Sequence, residues 1–360
     1  MRISIDGVSW MIDGRSPHPD SPAEGLLVNV RMVNCVFEDD RTDVPAVLDG
    51  FDPMSNTQRF IARIPDYATH GVCAFTVGLQ GGMPGYEGAV NSAFAADGAL
   101  RDSYLQRVSR VIEAADDNGC AVILSCFYQR QHSHERALVQ RHTIHAAVAN
   151  TARWVRQQGY GNVLLEIANE FAHAGYANWP DGAWLQSPAG QVELIETARV
   201  AAPDLLVSTS GMGSGAAFEA VARAGDFTII HFNNTETDAI AERVLAAQAY
   251  GKPVVCNEDD KIGTVGAEAA RLTILSGGGW GFMHQLHNQS APFAFDGRQD
   301  DPDVYDALSR LTSDSYDATS DTASPTFAVI TQPKDGDTFV MGDLITVRVM
   351  VSASRQLDQP

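Results

Sequence analysis

The sequence predicts an α/β protein, a (β/α)8 TIM barrel with an N-terminal hairpin and a short C-terminal β-rich segment. Short apolar runs, typical of strands buried on both faces, alternate with longer helical stretches over residues 3–312. Two of these runs, residues 163–168 and 253–256, each end in an Asn-Glu pair. Three further strand–helix repeats lie between the two glutamates, so the runs are expected to be the fourth and seventh of eight strands.

Composition bounds the classes of function. The 360 residues leave room for one barrel of about 250 residues and additional segments. Charged residues make up 19% and hydrophobic ones 44%, as in ordinary globular proteins. The net charge of −20 disfavours nucleic-acid binding, which needs clustered Lys and Arg. An acidic surface suits a neutral substrate, although solubility alone explains it equally well.

The five cysteines form no CxxC motif, and several lie within predicted strands, so buried free thiols are expected. No apolar run approaches the roughly 18 residues of a membrane span. The first residues contain no hydrophobic region of a signal peptide. A secreted or periplasmic location is expected if a leader has been removed.

The elements follow in order. Residues 3–5 and 9–12 form a predicted hairpin around Asp6-Gly7, placed at the amino-terminal end of the barrel. The predicted barrel strands are residues 25–33, 72–79, 121–127, 163–170, 205–209, 227–230, 253–258 and 279–285. The predicted helices are residues 57–70, 100–118, 135–158, 189–201, 216–224, 236–250, 265–276 and 302–311. The predicted domains are a barrel over 1–312, a linker over 313–324 and a β-rich segment over 325–360.

Charged residues inside these strands need an explanation. Alternation puts Glu166 on the same face as Glu170, so both are expected to point towards the barrel axis. A carboxylate buried that deeply needs a partner. Arg31, within the first predicted strand, is the candidate partner for Glu166 or for a catalytic carboxylate, while a surface position for Arg31 remains the alternative.

The segment Leu164-Leu165-Glu166-Ile167-Ala168-Asn169-Glu170 resembles the strand-4 signature of clan A glycoside hydrolases, family 5 (the cellulase family) in particular. That family usually has Pro where this chain has Phe171. Residues 3–312 also resemble uncharacterised bacterial cellulase-like proteins, with Glu-Gly-Leu-Leu at 24–27 and Asn-Glu-Asp-Asp at 257–260. The resemblance implies a retaining mechanism, with Glu170 as acid/base and Glu258 as nucleophile.

Retention of the anomer requires the two carboxyl groups to lie about 5 Å apart. Glu170 must hold a proton, so its pKa is expected to be raised, and Glu258 must stay ionised, which a nearby Arg31 would favour. The resemblance implies that Asn169 hydrogen-bonds the sugar 2-hydroxyl. His231 and Tyr128 are expected to orient the two glutamates; only the His of the family's His-x-Tyr pattern is present here.

Substrate contacts are expected from aromatic and histidine side chains of the rim. The loop over residues 171–188 contains His173, Tyr176, Trp179 and Trp184, which could stack on sugar rings or form a core beneath the loop. Trp280 and His284 lie in the eighth predicted strand. A Trp after strand 8 commonly lines the sugar site in this clan, whereas Trp280 lies near the start of the strand. The expected partner is an oligo- or polysaccharide, with a β-linked glycan as the family expectation.

Two other functions remain open. The barrel could bind carbohydrate without catalysis, although both glutamates are present. A metal-dependent hydrolase could use His132-x-His134, but such enzymes place this pair on the first strand and need further ligands. No metal or cofactor is therefore expected. Residues 330–338 resemble the opening of immunoglobulin-like modules, yet only 36 residues follow from Pro325, where such a module needs about 100. The segment is either truncated or docked on the barrel.

Overall fold

The computed structural model of the chain describes residues 1–41, 50–81 and 88–317, together with the backbone of 327–332 and 348–352. The chain divides into two compact units, Met1–Asp314 and Ser315–Pro360. The first unit contains the hairpin and all the strand–helix repeats. In the second unit, two antiparallel strands span Phe327–Gln332 and Arg348–Ser352. Most of the predicted linker and much of the predicted β-rich segment lie outside the described residues, so these assignments stay predictions.

Strands β1 (Ile3–Asp6) and β2 (Ser9–Ile12) form the predicted antiparallel hairpin. The buried Trp10 packs edge-on against Phe227, with ring centroids 5.2 Å apart. The amide of Ile3 donates to the carbonyl of Gly161. Phe227 and Gly161 both precede barrel strands, so the hairpin covers the amino-terminal end of the barrel, as predicted.

Eight parallel strands form the barrel. They are β3 (Asn29–Arg31), β4 (Ala74–Gly78), β5 (Ala121–Phe127), β6 (Val163–Ala168), β7 (Val207–Ser208), β8 (Thr228–His231), β9 (Val254–Glu258) and β10 (Gly281–Phe282). Continuous pairing joins β10, β3, β4, β5, β6 and β7 in that order, and β8 pairs with β9. Parallel bridges between Ser210 and Ile229, and between Val255 and Gly279, link the remaining neighbours and complete the ring.

Close backbone approach at β10 requires glycine. A Cβ atom at Gly281 would lie 2.5 Å from both the side-chain oxygen of Asn29 and the carbonyl oxygen of Cys256. A Cβ atom at Gly279 would lie 2.3 Å from the carbonyl oxygen of Leu27. The Gly-Trp-Gly sequence therefore lets β10 fit between β9 and β3. The strand is shorter than the predicted 279–285, since the chain leaves the sheet after Phe282 and enters a helical turn at Gln285–Gln289.

Helices surround the ring. They are α1 (Pro53–Ile61), α2 (Ile64–Thr69), α3 (Asp102–Asp117), α4 (Arg141–Gln158), α5 (Gly182–Leu185), α6 (Pro188–Ala201), α7 (Glu219–Ala224), α8 (Ile240–Gln248), α9 (Gly263–Leu275) and α10 (Pro302–Leu311). The single helix predicted over 57–70 is wrong, because α1 and α2 are separate. Pro65 has no N–H to donate and its ring clashes with the carbonyl of residue 61, so it fits only the first turn of a new helix.

All five cysteines are free and buried, which confirms the prediction. Burial raises the pKa of the Cys73 thiol to about 12. In the described part of the chain, no helix is both long and apolar enough to cross a membrane.

Candidate active site

Glu170 and Glu258 meet at the carboxyl-terminal edge of the barrel. Glu258 is the last residue of β9, and Glu170 follows β6 by two positions. A carboxylate oxygen of each lies within 4.8 Å of the other, and a ring nitrogen of His231 lies within the same distance of both. The three side chains are buried. Two strand ends that are far apart in sequence thus bring two carboxyl groups together at one place.

The backbone of Glu170 adopts an unusual conformation. Its φ is +49°, in the left-handed region that residues with a Cβ rarely adopt. The hydroxyl of Ser210, just beyond β7, accepts from the amide of Glu170 at 2.9 Å. The next residue, Phe171, is fully buried and packs against Phe218 with ring centroids 4.8 Å apart. These contacts hold the turn that directs the Glu170 side chain towards His231.

Arg31 pairs with Glu258. Its Nε lies 2.9 Å from Glu258 Oε2, and its Nη2 donates to Asn169 Oδ1 at 2.8 Å. The side-chain amide of Asn233 donates to Glu258 Oε1 at 2.5 Å. The candidate nucleophile therefore has a positive charge on one oxygen and a hydrogen-bond donor on the other. Of the two predicted kinds of partner for Arg31, the structure pairs it with the candidate catalytic carboxylate Glu258 and not with Glu166.

His231, the last residue of β8, lies between the carboxylates. Its Nδ1 is 3.3 Å from Glu170 Oε1 and 3.7 Å from Glu258 Oε2. Its Nε2 is 2.8 Å from Asn257 Oδ1. The amide nitrogen of Asn257 in turn donates to Glu166 Oε2 at 3.2 Å. The predicted orienting role of His231 fits these distances.

The pKa values of Glu170 and His231 shift in opposite directions. Burial would raise the pKa of Glu170, but the hydrogen bond from His231 and the charges of His231, His173 and Arg31 outweigh burial and lower it. Burial would lower the pKa of His231, but the charge of Glu258 and the hydrogen bond and charge of Glu170 raise it. The pKa of Glu170 is therefore lowered, whereas the sequence predicts a raised pKa. The difference arises because the imidazole of His231 competes for the proton.

The predicted substrate-binding residues take different positions. Asn169 lies beside Arg31 and its amide nitrogen is 3.5 Å from Gln129 Oε1. Tyr128 follows β5 and is half-buried. His284 is buried, and its ring lies 4.3 Å from that of His287.

Both predicted tryptophans are enclosed. Trp179 is 4% exposed, packs against Phe127 and Tyr176, and donates its indole N–H to the carbonyl of Gln129. For Trp179 the structure favours the alternative of an aromatic core beneath the loop. Trp280 is fully buried; its indole N–H donates to Asp259 and its ring stacks on Phe282. The predicted contact of both rings with sugar stays a prediction.

Sequence reasoning assigned no role to several polar residues that complete the site. Asn257 carries the link from His231 to Glu166, Asn233 contacts Glu258, and Ser210 holds the backbone of Glu170. The Asn-Glu pair at 257–258 repeats the pair at 169–170, and this repeat is the sequence feature that could have identified Asn257 as a site residue. Ser210 and Asn233 follow their strands by one or two positions, a placement that many polar loop residues share.

His132 and His134 are the histidines of the alternative metal site. His134 Nδ1 accepts from the amide of Arg136, and burial lowers the pKa of His134 to about 4. Within the described ranges, neither histidine belongs to a group of three side chains with metal-ligand spacing. Glu170, His231 and Glu258 do have such spacing, but the ion pair with Arg31 already compensates Glu258.

Known proteins share the fold of this chain. No protein-family model matches the sequence, and no curated protein sequence matches it. A glycoside hydrolase family 5 enzyme from Prevotella bryantii B14 superposes with a TM-score of 0.56 at 11% identity, over 83% of this chain and 99% of that one. The endo-1,4-beta-mannanase of Rhizomucor miehei gives 0.55 at 10% identity, over 84% and 99%.

A third match is the exo-beta-1,4-mannosidase of the Opitutaceae bacterium strain TAV5, with a TM-score of 0.57 at 12% identity over 86% of this chain. This chain spans 62% of the length of that protein. At these identities the likeness concerns the fold. The barrel of this chain therefore has the α/β fold of the glycoside hydrolase family 5 enzymes, as the strand-4 resemblance implied.

Proposed function

We propose that the protein is a retaining glycoside hydrolase in which Glu258 is the nucleophile and Glu170 the acid/base. The observation that carries the proposal is the approach of the two carboxylates to within 4.8 Å at the carboxyl-terminal edge of the barrel. Retaining glycosidases place these groups about 5–5.5 Å apart, whereas inverting enzymes leave about 6.5–9.5 Å for a water molecule. The approach of one oxygen of each carboxylate to within 4.8 Å supports the retaining arrangement over the inverting one.

The assignment of the two roles follows from their partners. A nucleophile must be ionised, and Glu258 has Arg31 at 2.9 Å and the Asn233 amide at 2.5 Å. Glu258 would attack the anomeric carbon while Glu170 protonates the departing oxygen. Glu170 would then deprotonate the water that hydrolyses the glycosyl ester. Its exchangeable proton partner is His231 Nδ1, at 3.3 Å.

A β-linked glycan is the proposed substrate. The support is the fold shared with enzymes whose names include endo-1,4-beta-mannanase and exo-beta-1,4-mannosidase, and with a family 5 enzyme that was crystallised with a xyloglucan oligosaccharide. Asn169, held by Arg31, is the proposed donor to the sugar 2-hydroxyl. Strand-end residues determine the reaction, while loop shape determines which sugar enters.

The test is a screen of aryl glycosides and of plant, algal and microbial polysaccharides. We expect Glu170→Gln and Glu258→Gln to lose most of the activity on whichever substrate the wild type cleaves, by about 10²-fold or more. Glu193→Gln is the matched control, because Glu193 lies on the outer helix α6. Equal activity of wild type and both site variants would contradict the assignment.

Azide separates the two roles. In Glu258→Gly, azide should replace the nucleophile and give a glycosyl azide of inverted configuration, whereas in Glu170→Gly it should give one of retained configuration. An activity that a chelator abolishes would favour the metal-dependent alternative. Glycan binding without cleavage by the wild type would favour the carbohydrate-binding alternative.

A further inference from the structure

Glu166 is a buried carboxylate that the reaction described above does not use. Its side chain is fully buried on β6. Oε2 accepts a hydrogen bond from Asn257, while Oε1 has no hydrogen-bond partner among the residues that the structure describes and lies 4.0 Å from His231 Nε2. A charge in such a place is costly unless another group compensates it. Arg31, the nearest buried cation of the site, is engaged by Glu258 and Asn169.

The hydrogen bonds define the protonation of His231. A carboxylate only accepts, so the amide nitrogen of Asn257 must face Glu166. The amide oxygen of Asn257 then faces His231 Nε2 at 2.8 Å, and that contact is a hydrogen bond only if Nε2 carries a proton. The reversed amide would place two acceptors against each other at Glu166. Through the side chain of Asn257, Glu166 thus determines that Nε2 is the ring nitrogen of His231 that keeps its proton.

We propose, on the basis of the proposed function, that Glu166 is a positioning residue: acting through Asn257, it keeps the proton on His231 Nε2, so that Nδ1 exchanges the catalytic proton with Glu170. The charges facing His231 are Glu166 and Glu170 from the β6 side, Glu258 from β9 and Arg31 from β3. Arg31 is paired with Glu258, and the imidazolium supplies a second positive charge beside the three carboxylates.

The proton balance of the reaction agrees with this arrangement. In the first step Nδ1 gives its proton to Glu170 as Glu170 protonates the glycosidic oxygen; the bond from the anomeric carbon to that oxygen breaks, and the bond to Glu258 forms. His231 is then neutral, with its remaining proton on Nε2. In the second step Glu170 takes a proton from water and returns one to Nδ1, while water replaces Glu258 at the anomeric carbon. The net charge of the group stays constant through both steps.

The direct test needs no substrate. Nitrogen-15 NMR of the imidazole ring distinguishes the charged form and the two neutral tautomers, and the His231 signals are identified by their loss in His231→Gln. We expect Glu166→Gln to lower the pKa of His231 by about one unit or more, as loss of a neighbouring opposite charge does. We also expect it to give a mixture of neutral tautomers, whereas the wild type shows only the Nε2-protonated one. Identical spectra and titration in both proteins would overturn the proposal.

A second variant covers a folding failure of Glu166→Gln. Asn257→Ser interrupts the link while leaving Glu166, and the same tautomer mixture is expected. Asp300→Asn is the matched control; Asp300 is a buried carboxylate bonded to Tyr67, and its removal should leave the His231 signals unchanged.

Enzyme kinetics test separately whether Glu166 affects proton exchange between His231 and Glu170. On a substrate from the screen, the alkaline limb of kcat/KM should move to lower pH in Glu166→Gln by the shift that NMR reports, with KM unchanged. An NMR shift with an unmoved alkaline limb would overturn the role in proton exchange. If the wild type cleaves no glycoside, the proposed function fails, and the NMR comparison still decides whether Glu166 sets the tautomer.

Discussion

Arg31 shows at the level of one residue how the site balances charge. Its side chain and that of Glu258 are both nearly buried, and removing one partner of a buried ion pair leaves an uncompensated charge. We expect Arg31→Met to lower the free energy of unfolding by about 3 kcal/mol, within the range for such losses. Urea unfolding followed by circular dichroism measures this change.

The matched control is the same substitution in the Glu258→Gln background. Because Glu258 no longer carries a charge there, the loss on removing Arg31 should fall to about half. An equal loss in both backgrounds would show that the ion pair contributes nothing and that Arg31 acts through packing alone.

The sequence predicted part of this site at the residue level. Glu170, Glu258, Asn169, Arg31 and His231 do converge, because strand ends can be located from apolar runs and parallel strands end at one edge. The contact between His231 and Asn257 could not be predicted, because it depends on the rotamers of the two side chains. The enclosure of Trp179 and Trp280 depends on how loops pack, which local sequence does not determine.

At the level of elements, one carboxylate joins two helices. Asp301 precedes α10 and accepts from the amide of Val304 at 3.3 Å; it also accepts from the amide of Gly263, the first residue of α9, at 2.6 Å. We expect Asp301→Ala to lower the free energy of unfolding by about 2 kcal/mol, the sum of two capping losses of about 1 kcal/mol each. Chemical denaturation measures the difference.

Asp303→Ala is the control for Asp301→Ala. Asp303 is an exposed carboxylate in the first turn of the same helix, so its removal changes the same charge without removing a cap. If the two variants lose equal stability, helix-dipole or surface charge, and not capping, explains the effect.

Element boundaries were predicted unevenly. The helix predicted over 302–311 matches α10 in full, since Asp301 and Pro302 are a typical helix start. The helix predicted over 135–158 begins only at Arg141, and residues 135–140 lie outside it; their sequence contains no glycine or proline that would have marked the boundary. Signals that change backbone geometry, such as those of proline and glycine, locate boundaries better than hydrophobicity does.

At the level of the whole molecule, we expect acid to lower the free energy of unfolding because of the half-buried imidazole of His18. Burial lowers the pKa of His18 from 6.5 to about 4. The unfolded chain therefore binds a proton at His18 at a higher pH than the folded protein does. The stabilising contribution is present above pH 6.5, decreases by at most about 1.4 kcal/mol per pH unit as pH falls towards 4, and is absent below 4.

The measurement is the free energy of unfolding between pH 7 and 4. We expect His18→Asn to flatten this profile, and Asn accepts the positive φ of +53° found at this position. His142→Asn is the control, because His142 is exposed. A profile of His18→Asn as steep as that of the wild type would assign the acid sensitivity to other groups.

The conformation of Glu170 has a consequence for any selection applied to this protein. A residue with a Cβ in the left-handed region costs about 1–2 kcal/mol, and a glycine there is nearly free of this penalty. Replacing Glu170, the proposed acid/base, by glycine would therefore relieve the backbone and, if the proposal holds, end turnover at the same time. A library screened for thermal resistance alone would enrich inactive barrels at this codon, so stabilised variants of this protein need to be recovered by activity.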